Sequence, residues 1–214
     1  MAAPEPPQAL PRPVYRVETE RLLIRCWEPA DGPRLRAALD ELDSYLRPWI
    51  PWMRHEPQSL DETVARLRGY RASFDLDRDY RYGVFDPTGT ELIGETGLYP
   101  RVGPGAREIG YWTHSRHAGR GYATEAAAAM VRIAFEIDRV ERIEIHCAVG
   151  NAPSAVVPRK LGFAHEATLR RRTIDSEGRR EDLAIWTLFA SDYDRSPAQK
   201  VRIAAYDCVG ARLG

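Results

Sequence analysis

Lysine is scarce in this chain. Lys160 and Lys200 are the only two, and arginine supplies the rest of the 31 basic residues among 214. Asp and Glu also number 31, so the formal net charge is zero and the pI is near 7.0. A protein that grips nucleic acid regardless of sequence needs a basic surplus to displace counterions, so no specific nucleic-acid partner is expected. The arginine bias reads as base composition of the coding DNA rather than as chemistry. Cysteine is sparse too: Cys26, Cys147 and Cys208 stand alone. They form no C-x-x-C pair and no Cys/His cluster at zinc spacing, so no metal site is expected. The reading is of reduced thiols in a cytoplasmic protein. No apolar run approaches the roughly 18 residues of a membrane helix, so no membrane partner is expected either. The start lacks the apolar core of a secretory signal, since Met1 to Pro13 holds five prolines and no apolar stretch. Residues 1–15 read as a disordered, Pro-rich lead-in.

What is present is an ordinary globular composition, 43% hydrophobic and 29% charged, long enough for one domain with a sizeable core. Arg21–Trp27 reads as a strand, followed by a helix to about Leu42 with Asp31 as its N-cap. Leu46–Met53 is a proline-broken aromatic loop, and Ser59–Phe74 has helical spacing at Leu60, Val64, Leu67 and Tyr70. Strands follow at 80–85, 91–99 and 107–113, the first two joined by a Pro-Thr-Gly turn. A helix over 122–137 leads to the alternating strand Arg142–Val149, where Ile143, Ile145, Cys147 and Val149 face one way. A short helix near 153–161 and a hairpin of His165–Thr173 with Asp182–Phe189 complete the pattern. This order is α/β, more strictly α+β: a mixed, mostly antiparallel sheet with flanking helices. The helix between 107–113 and 142–149 makes those two strands parallel neighbours. Residues 195–214 show no clear period beyond Val201–Tyr206 and carry no legible role.

The most informative stretch is Arg116-His117-Ala118-Gly119-Arg120-Gly121-Tyr122-Ala123-Thr124-Glu125-Ala126, between a strand and an amphipathic helix. Gly119 and Gly121 can take positive φ and leave room for a ligand against the backbone. Successive N–H groups there, backed by a helix N-terminus, make an anion nest. A plain tight turn would also use glycine. The pattern lacks GxGxxG and follows antiparallel strands, which argues against a nucleotide-binding Rossmann unit.

In its wider setting, EIGYW before and YATEA after, the R-x-x-G-x-G stretch resembles the acetyl-CoA signature of the GNAT acetyltransferases. It is similar above all to their RimJ/RimL-like, ribosomal-protein N-terminal branch. Glu20–Arg25 resembles the family's opening strand. Asn151-x-x-Ser154 through Lys160-Leu161-Gly162-Phe163 resembles its late helix, and Leu169-Arg170 through Gly178-Arg179-Arg180-x-Asp182 its closing hairpin. The resemblance covers residues 16–194, and it implies a GNAT fold whose parallel strand pair splays apart to admit a thioester. It implies acetyl-CoA as co-substrate and an amine acceptor, either a peptide N-terminus or a small molecule; homodimers are common in the branch.

Carried over, Gly119, Arg120 and Gly121 with Tyr122, Ala123 and Thr124 would hold the pyrophosphate, and Arg116 would shape the turn or meet a phosphate. The pantetheine arm would run beside Trp112, Thr113 and His114 and meet Asn151. An amine must be neutral to attack, so a base is needed. Glu108, opening the EIGYW strand, is the first candidate, although a solvated strand-end carboxylate is the competing reading. Glu95 on the neighbouring strand is a second base candidate and a substrate-side residue; His146 is a third, with packing as its plainer role. Many family members carry an acid tyrosine where this chain has Pro158, so Ser154 is the candidate acid, or else a helix-start residue. Pro158 cannot donate to the Ser154 carbonyl, so the late helix is expected to kink or start late. Trp49 and Trp52 would wall the acceptor slot or serve as a core lid. The arginines of the closing hairpin, interleaved with acids, read as solvated or as contacts for an acidic substrate. A non-catalytic acyl-CoA-binding module is the alternative function, needing neither Glu108 nor Ser154.

Overall fold

The computed structural model describes residues 13–214. The first twelve residues of the Pro-rich lead-in lie outside the described part. Among the described residues ten strands form one sheet, β1 (Arg16–Glu18), β2 (Leu23–Cys26), β3 (Tyr80–Phe85), β4 (Leu92–Tyr99), β5 (Ala106–Thr113), β6 (Arg142–Ala148), β7 (Ala164–Ile174), β8 (Arg180–Phe189), β9 (Ala204–Tyr206) and β10 (Arg212–Leu213). Their order is β10-β9-β1-β2-β3-β4-β5-β6-β8-β7. Every pairing is antiparallel except β5 with β6. The crossover between those two contains α3 (Tyr122–Arg132), so the parallel pair arises as the chain order requires.

Strand alternation divides the core between the two faces. On β3, Val84 faces one cluster with α3, whose Ala127–Val131 run is fully buried, while Phe85 faces the other. That second cluster packs Trp27, Phe85 and Trp112 under α1 (Gly32–Leu46) and α2 (Leu60–Asp75). The start of α2 is fixed by a capping box: the Ser59 hydroxyl accepts from the Glu62 N–H at 3.2 Å, and the Glu62 carboxylate accepts from the Ser59 N–H at 2.7 Å.

Several details depart from expectation. Asp31 stands at the N-cap of α1, but its carboxylate makes no cap bond to that helix. It accepts instead from the Glu28 N–H at 3.0 Å and from both terminal nitrogens of Arg25, because the preceding 3-10 turn brings those donors nearer. The helix expected to Ile137 is α-helical only to Arg132; Ile133–Ile137 widens into a π turn closed by the Asp138 N–H on the Ile133 carbonyl at 3.0 Å. The C-terminal residues pair with the sheet, β9 against β1 and β10 against β9, with Ala198 fully buried. The Ser196 hydroxyl donates to the Leu161 carbonyl at 2.6 Å and Arg132 to the Val201 carbonyl at 2.8 Å, tying this segment to the helices. Among the described residues no helix is long and apolar enough to cross a membrane.

Candidate active site

The glycine turn joins β5 to α3. Gly119 (φ +76°) and Gly121 (φ +83°, the N-cap of α3) both adopt the left-handed conformation that favours glycine. A Cβ on Gly119 would meet nothing within 4 Å, so the turn presents bare backbone to open space. Among the described residues the N–H groups of Gly119 and Gly121 have no partner, and the first amides of α3 have none inside the helix. The turn is braced from behind by residues the motif does not flag. Glu125, in the first turn of α3, accepts from Arg21 Nε at 2.7 Å and from the Thr19 hydroxyl at 2.6 Å; Arg21 also donates to the Arg120 carbonyl at 3.1 Å. A carboxylate there suits the helix dipole, and its pairing leaves the amides free for another anion.

Beside the turn the sheet opens. β5 and β6 pair only through Ala106↔Arg142, Arg107↔Ile143 and Glu108↔Glu144, then diverge. From Ile109 onward the β6-facing edge of β5 has no strand partner. A cavity of about 710 Å³ fills the gap and reaches from the glycine turn to the aromatic loop. Trp112, Thr113, Gly119, Gly121, Tyr122, Ala123 and Thr124 line it on one side. The indole N–H of Trp112 and Nδ1 of His117, both buried on lining residues, have no hydrogen-bond partner among the described residues. Trp49 and Trp52 line the opposite end, Trp49 remaining 40% exposed. His114, Arg116 and Arg120 do not line the cavity. His114 is buried and accepts from the Arg116 N–H at 3.4 Å, and burial pushes its ring pKa down. The Arg116 guanidinium pairs with Glu41 of α1.

Glu108 sits where β5 and β6 part, 7% exposed. Arg101 clamps it with two bonds of 2.7 and 2.6 Å, although the arginine side chain itself is 56% exposed. His146 lines the cavity beside it: its Nδ1 is 3.7 Å from Glu108 and its Nε2 is 2.6 Å from Glu144. Glu95 also faces the cavity, accepting from the Trp27 indole N–H at 3.0 Å; burial pushes its carboxyl above the usual range. Between these acids lies Tyr99, seated over two glycines. A Cβ on Gly97 or Gly110 would come within 2.6 or 2.9 Å of the Tyr99 ring.

α4 (Ala152–Lys160) forms the remaining wall. Its N-cap is Asn151, whose Oδ1 accepts from the Ser154 N–H at 3.1 Å. The helix neither starts late nor stops at Pro158, which lies inside it. The carbonyl of Ser154, deprived of the amide that residue 158 would normally supply, accepts instead from the Tyr111 hydroxyl of β5 at 2.8 Å. The Ser154 hydroxyl in turn donates to the Tyr111 oxygen at 3.3 Å. Tyr111 thus repairs the break and holds Ser154 against the splay. Sequence reasoning noted the orphaned carbonyl but not its donor, which lies 43 residues away.

This linkage has a measurable consequence. Tyr111→Phe is expected to cost about 1–3 kcal/mol in thermal or denaturant unfolding, the penalty of an unpaired buried acceptor. Tyr111→Phe combined with Pro158→Ala should recover most of that loss, because alanine at that position restores the helical donor. Additive losses in the double variant would contradict the assignment.

A model of the acetyltransferase (GNAT) domain matches residues 21–164. The chain belongs to the GNAT acetyltransferases. It is 29% identical over 185 residues to the putative ribosomal N-acetyltransferase YdaF of Bacillus subtilis, covering 82% of this chain and 94% of that one. It is 27% identical over 163 residues to the [ribosomal protein uS5]-alanine N-acetyltransferase of Escherichia coli, covering 72% of this chain and 80% of the relative. Its fold matches Mycobacterium smegmatis RimJ in complex with CoA-disulfide at a TM-score of 0.76 and 24% identity, over 87% of this chain and 91% of that one. The RimJ/RimL-like resemblance and the splayed mixed sheet therefore hold. Among the described residues no group of three or more His, Cys, Asp or Glu side chains is arranged to hold a metal ion.

Proposed function

We propose that this acetyltransferase moves an acetyl group from acetyl-CoA to a primary amine by direct attack within a ternary complex. The observation that carries the reading is the continuity of the cavity: unpaired turn amides at one end, an open strand edge in the middle, acids and aromatics at the other. The pyrophosphate would lie on the amides of Gly119, Gly121 and the first turn of α3, the pantetheine arm along Trp112 and Thr113, and the Asn151 side-chain amide N–H, not used in its cap, would meet that arm. The acetyl carbonyl would take a strand N–H near Trp112 as its oxyanion donor.

Glu108 is the base in this scheme. An alkylammonium must lose a proton before it can attack, and Glu108 stands beside the point where the thioester would end. Its Arg101 partner is mostly exposed, so the incoming ammonium can compete for the same carboxylate. His146, also on the cavity wall, stands 3.7 Å from Glu108 and is hydrogen-bonded to Glu144 at 2.6 Å, so a small shift of its ring would let it take the proton onward. Glu95, buried and held by Trp27, serves the acceptor side. On the sulfur side of the thioester the Ser154 hydroxyl, positioned by Tyr111, would turn its proton from the Tyr111 oxygen to the departing thiolate. The acceptor would enter among Trp49, Trp52 and Glu95, which all line the cavity. The names of the ribosomal N-acetyltransferase relatives support trying ribosomal-protein N-termini first among acceptors.

The test is CoA thiol release from acetyl-CoA with a panel of peptide N-termini, polyamines, aminoglycosides and amino acids. Release is expected with at least one primary amine, peptides foremost. Silence across the panel with acetyl-CoA binding intact would shift the chain to a binding module.

A further inference from the structure

The C-terminal segment lines a second cavity. It is an open bay of about 1010 Å³ walled by the β1–β2 turn, the start of α3, the end of α4 and residues 197–204. It shares Gly121, Thr124 and Lys160 with the first cavity, so the two meet at the glycine turn. Both lysines of the chain, Lys160 and Lys200, face this bay, and Arg202 joins them. All three are exposed and have no acidic partner among the described residues. The acids nearby are largely committed: Glu125 is bound by Arg21 and Thr19, and Glu18 by Arg16 at 3.5 Å, leaving Glu20 on the rim.

We propose that this bay receives the 3′-phosphate of CoA, with Lys200 and Arg202 of the C-terminal segment and Lys160 of α4 supplying the charge. The inference rests on the acetyl-CoA reading above, and its logic is directional. With the thioester in the splay and the pyrophosphate on the turn amides, the nucleotide end of the molecule has to leave the turn away from the first cavity. The surface that begins there, sharing Gly121 and Thr124, is the bay. A phosphate monoester is close to a dianion at neutral pH, since its second pKa is about 6. It gains most from cations that break no internal ion pair to bind it, and ammonium groups on flexible stems serve it as point charges. The segment after residue 195 thereby acquires a role beyond closing the sheet edge. It supplies two of the three cations that tell CoA from its dephosphorylated form.

The full-length chain is titrated with CoA and with 3′-dephospho-CoA, following tryptophan fluorescence or heat. The wild type is expected to bind CoA about tenfold or more tightly than 3′-dephospho-CoA. Lys200→Gln with Arg202→Gln should erase most of that preference by weakening CoA alone; Lys200→Arg with Arg202→Lys should retain it. These side chains are exposed, so an unchanged melting temperature is expected to accompany the change. Equal weakening of both ligands, or an intact preference in the glutamine variant, overturns the assignment and leaves the acetyl-CoA reading standing. Failure of both ligands to bind the wild type overturns both readings together.

Discussion

Glu108→Gln is expected to lower kcat by about 10²–10⁴-fold while leaving the acetyl-CoA Kd within about twofold. The amide keeps the size of the carboxylate and can still accept from Arg101, so the fold at the splay survives. What it loses is the ability to take a proton from an ammonium. Glu95→Gln is the matched comparison. Glu95 is held by the Trp27 indole, and burial already favours its neutral form. That variant should act chiefly on acceptor KM. If the two variants exchange these phenotypes, the base lies on β4 and the Glu108–His146–Glu144 line is structural.

Gly121→Val should weaken acetyl-CoA binding by about a hundredfold. The Cβ itself would be tolerated sterically, since its nearest neighbour is an Arg21 nitrogen at 3.6 Å. The cost is conformational: at φ +83° a β-branched residue is strained by about 1–3 kcal/mol, and relieving the strain turns the amide out of the nest. Gly69→Val, in the middle of α2 with nothing within 4 Å of its Cβ, is the control and should leave affinity unchanged. Isothermal titration of both variants checks the pair, and equal behaviour would contradict a backbone-bound phosphate.

Much of this arrangement is legible in the sequence, and the reason is locality. The glycine turn, its flanking strand and helix, and the parallel crossover all lie between Ala106 and Ala148, where spacing and propensity act together. β1 and β10 were not legible, and of β9 only the period over Val201–Tyr206 was. Three- and two-residue strands carry no alternation to read, and their pairing brings together Val17 and Ala205, far apart in the chain. The same limit hid the partners of the site residues. That Arg101 closes on Glu108 depends on a turn between β4 and β5, and that Arg21 braces Glu125 depends on the β1–β2 turn reaching α3. Tyr111 is different, because the clue was present. A proline inside a helix leaves one carbonyl without its amide, and a buried carbonyl finds a donor elsewhere. Hydroxyl-bearing residues on the adjacent strand are the natural candidates for that donor.

Cys147 offers the competing route for the chemistry, since it also lines the cavity near Ser154. Burial pushes its thiol up, which keeps it protonated and a poor nucleophile at neutral pH. The most direct measurement is therefore a single turnover with isotopically labelled acetyl-CoA, quenched and read by mass spectrometry on both protein and acceptor. Direct transfer predicts label on the acceptor amine as CoA is released, and an unlabelled chain whether or not acceptor is present. An acetylated Cys147 that forms without acceptor and discharges when acceptor is added would contradict it.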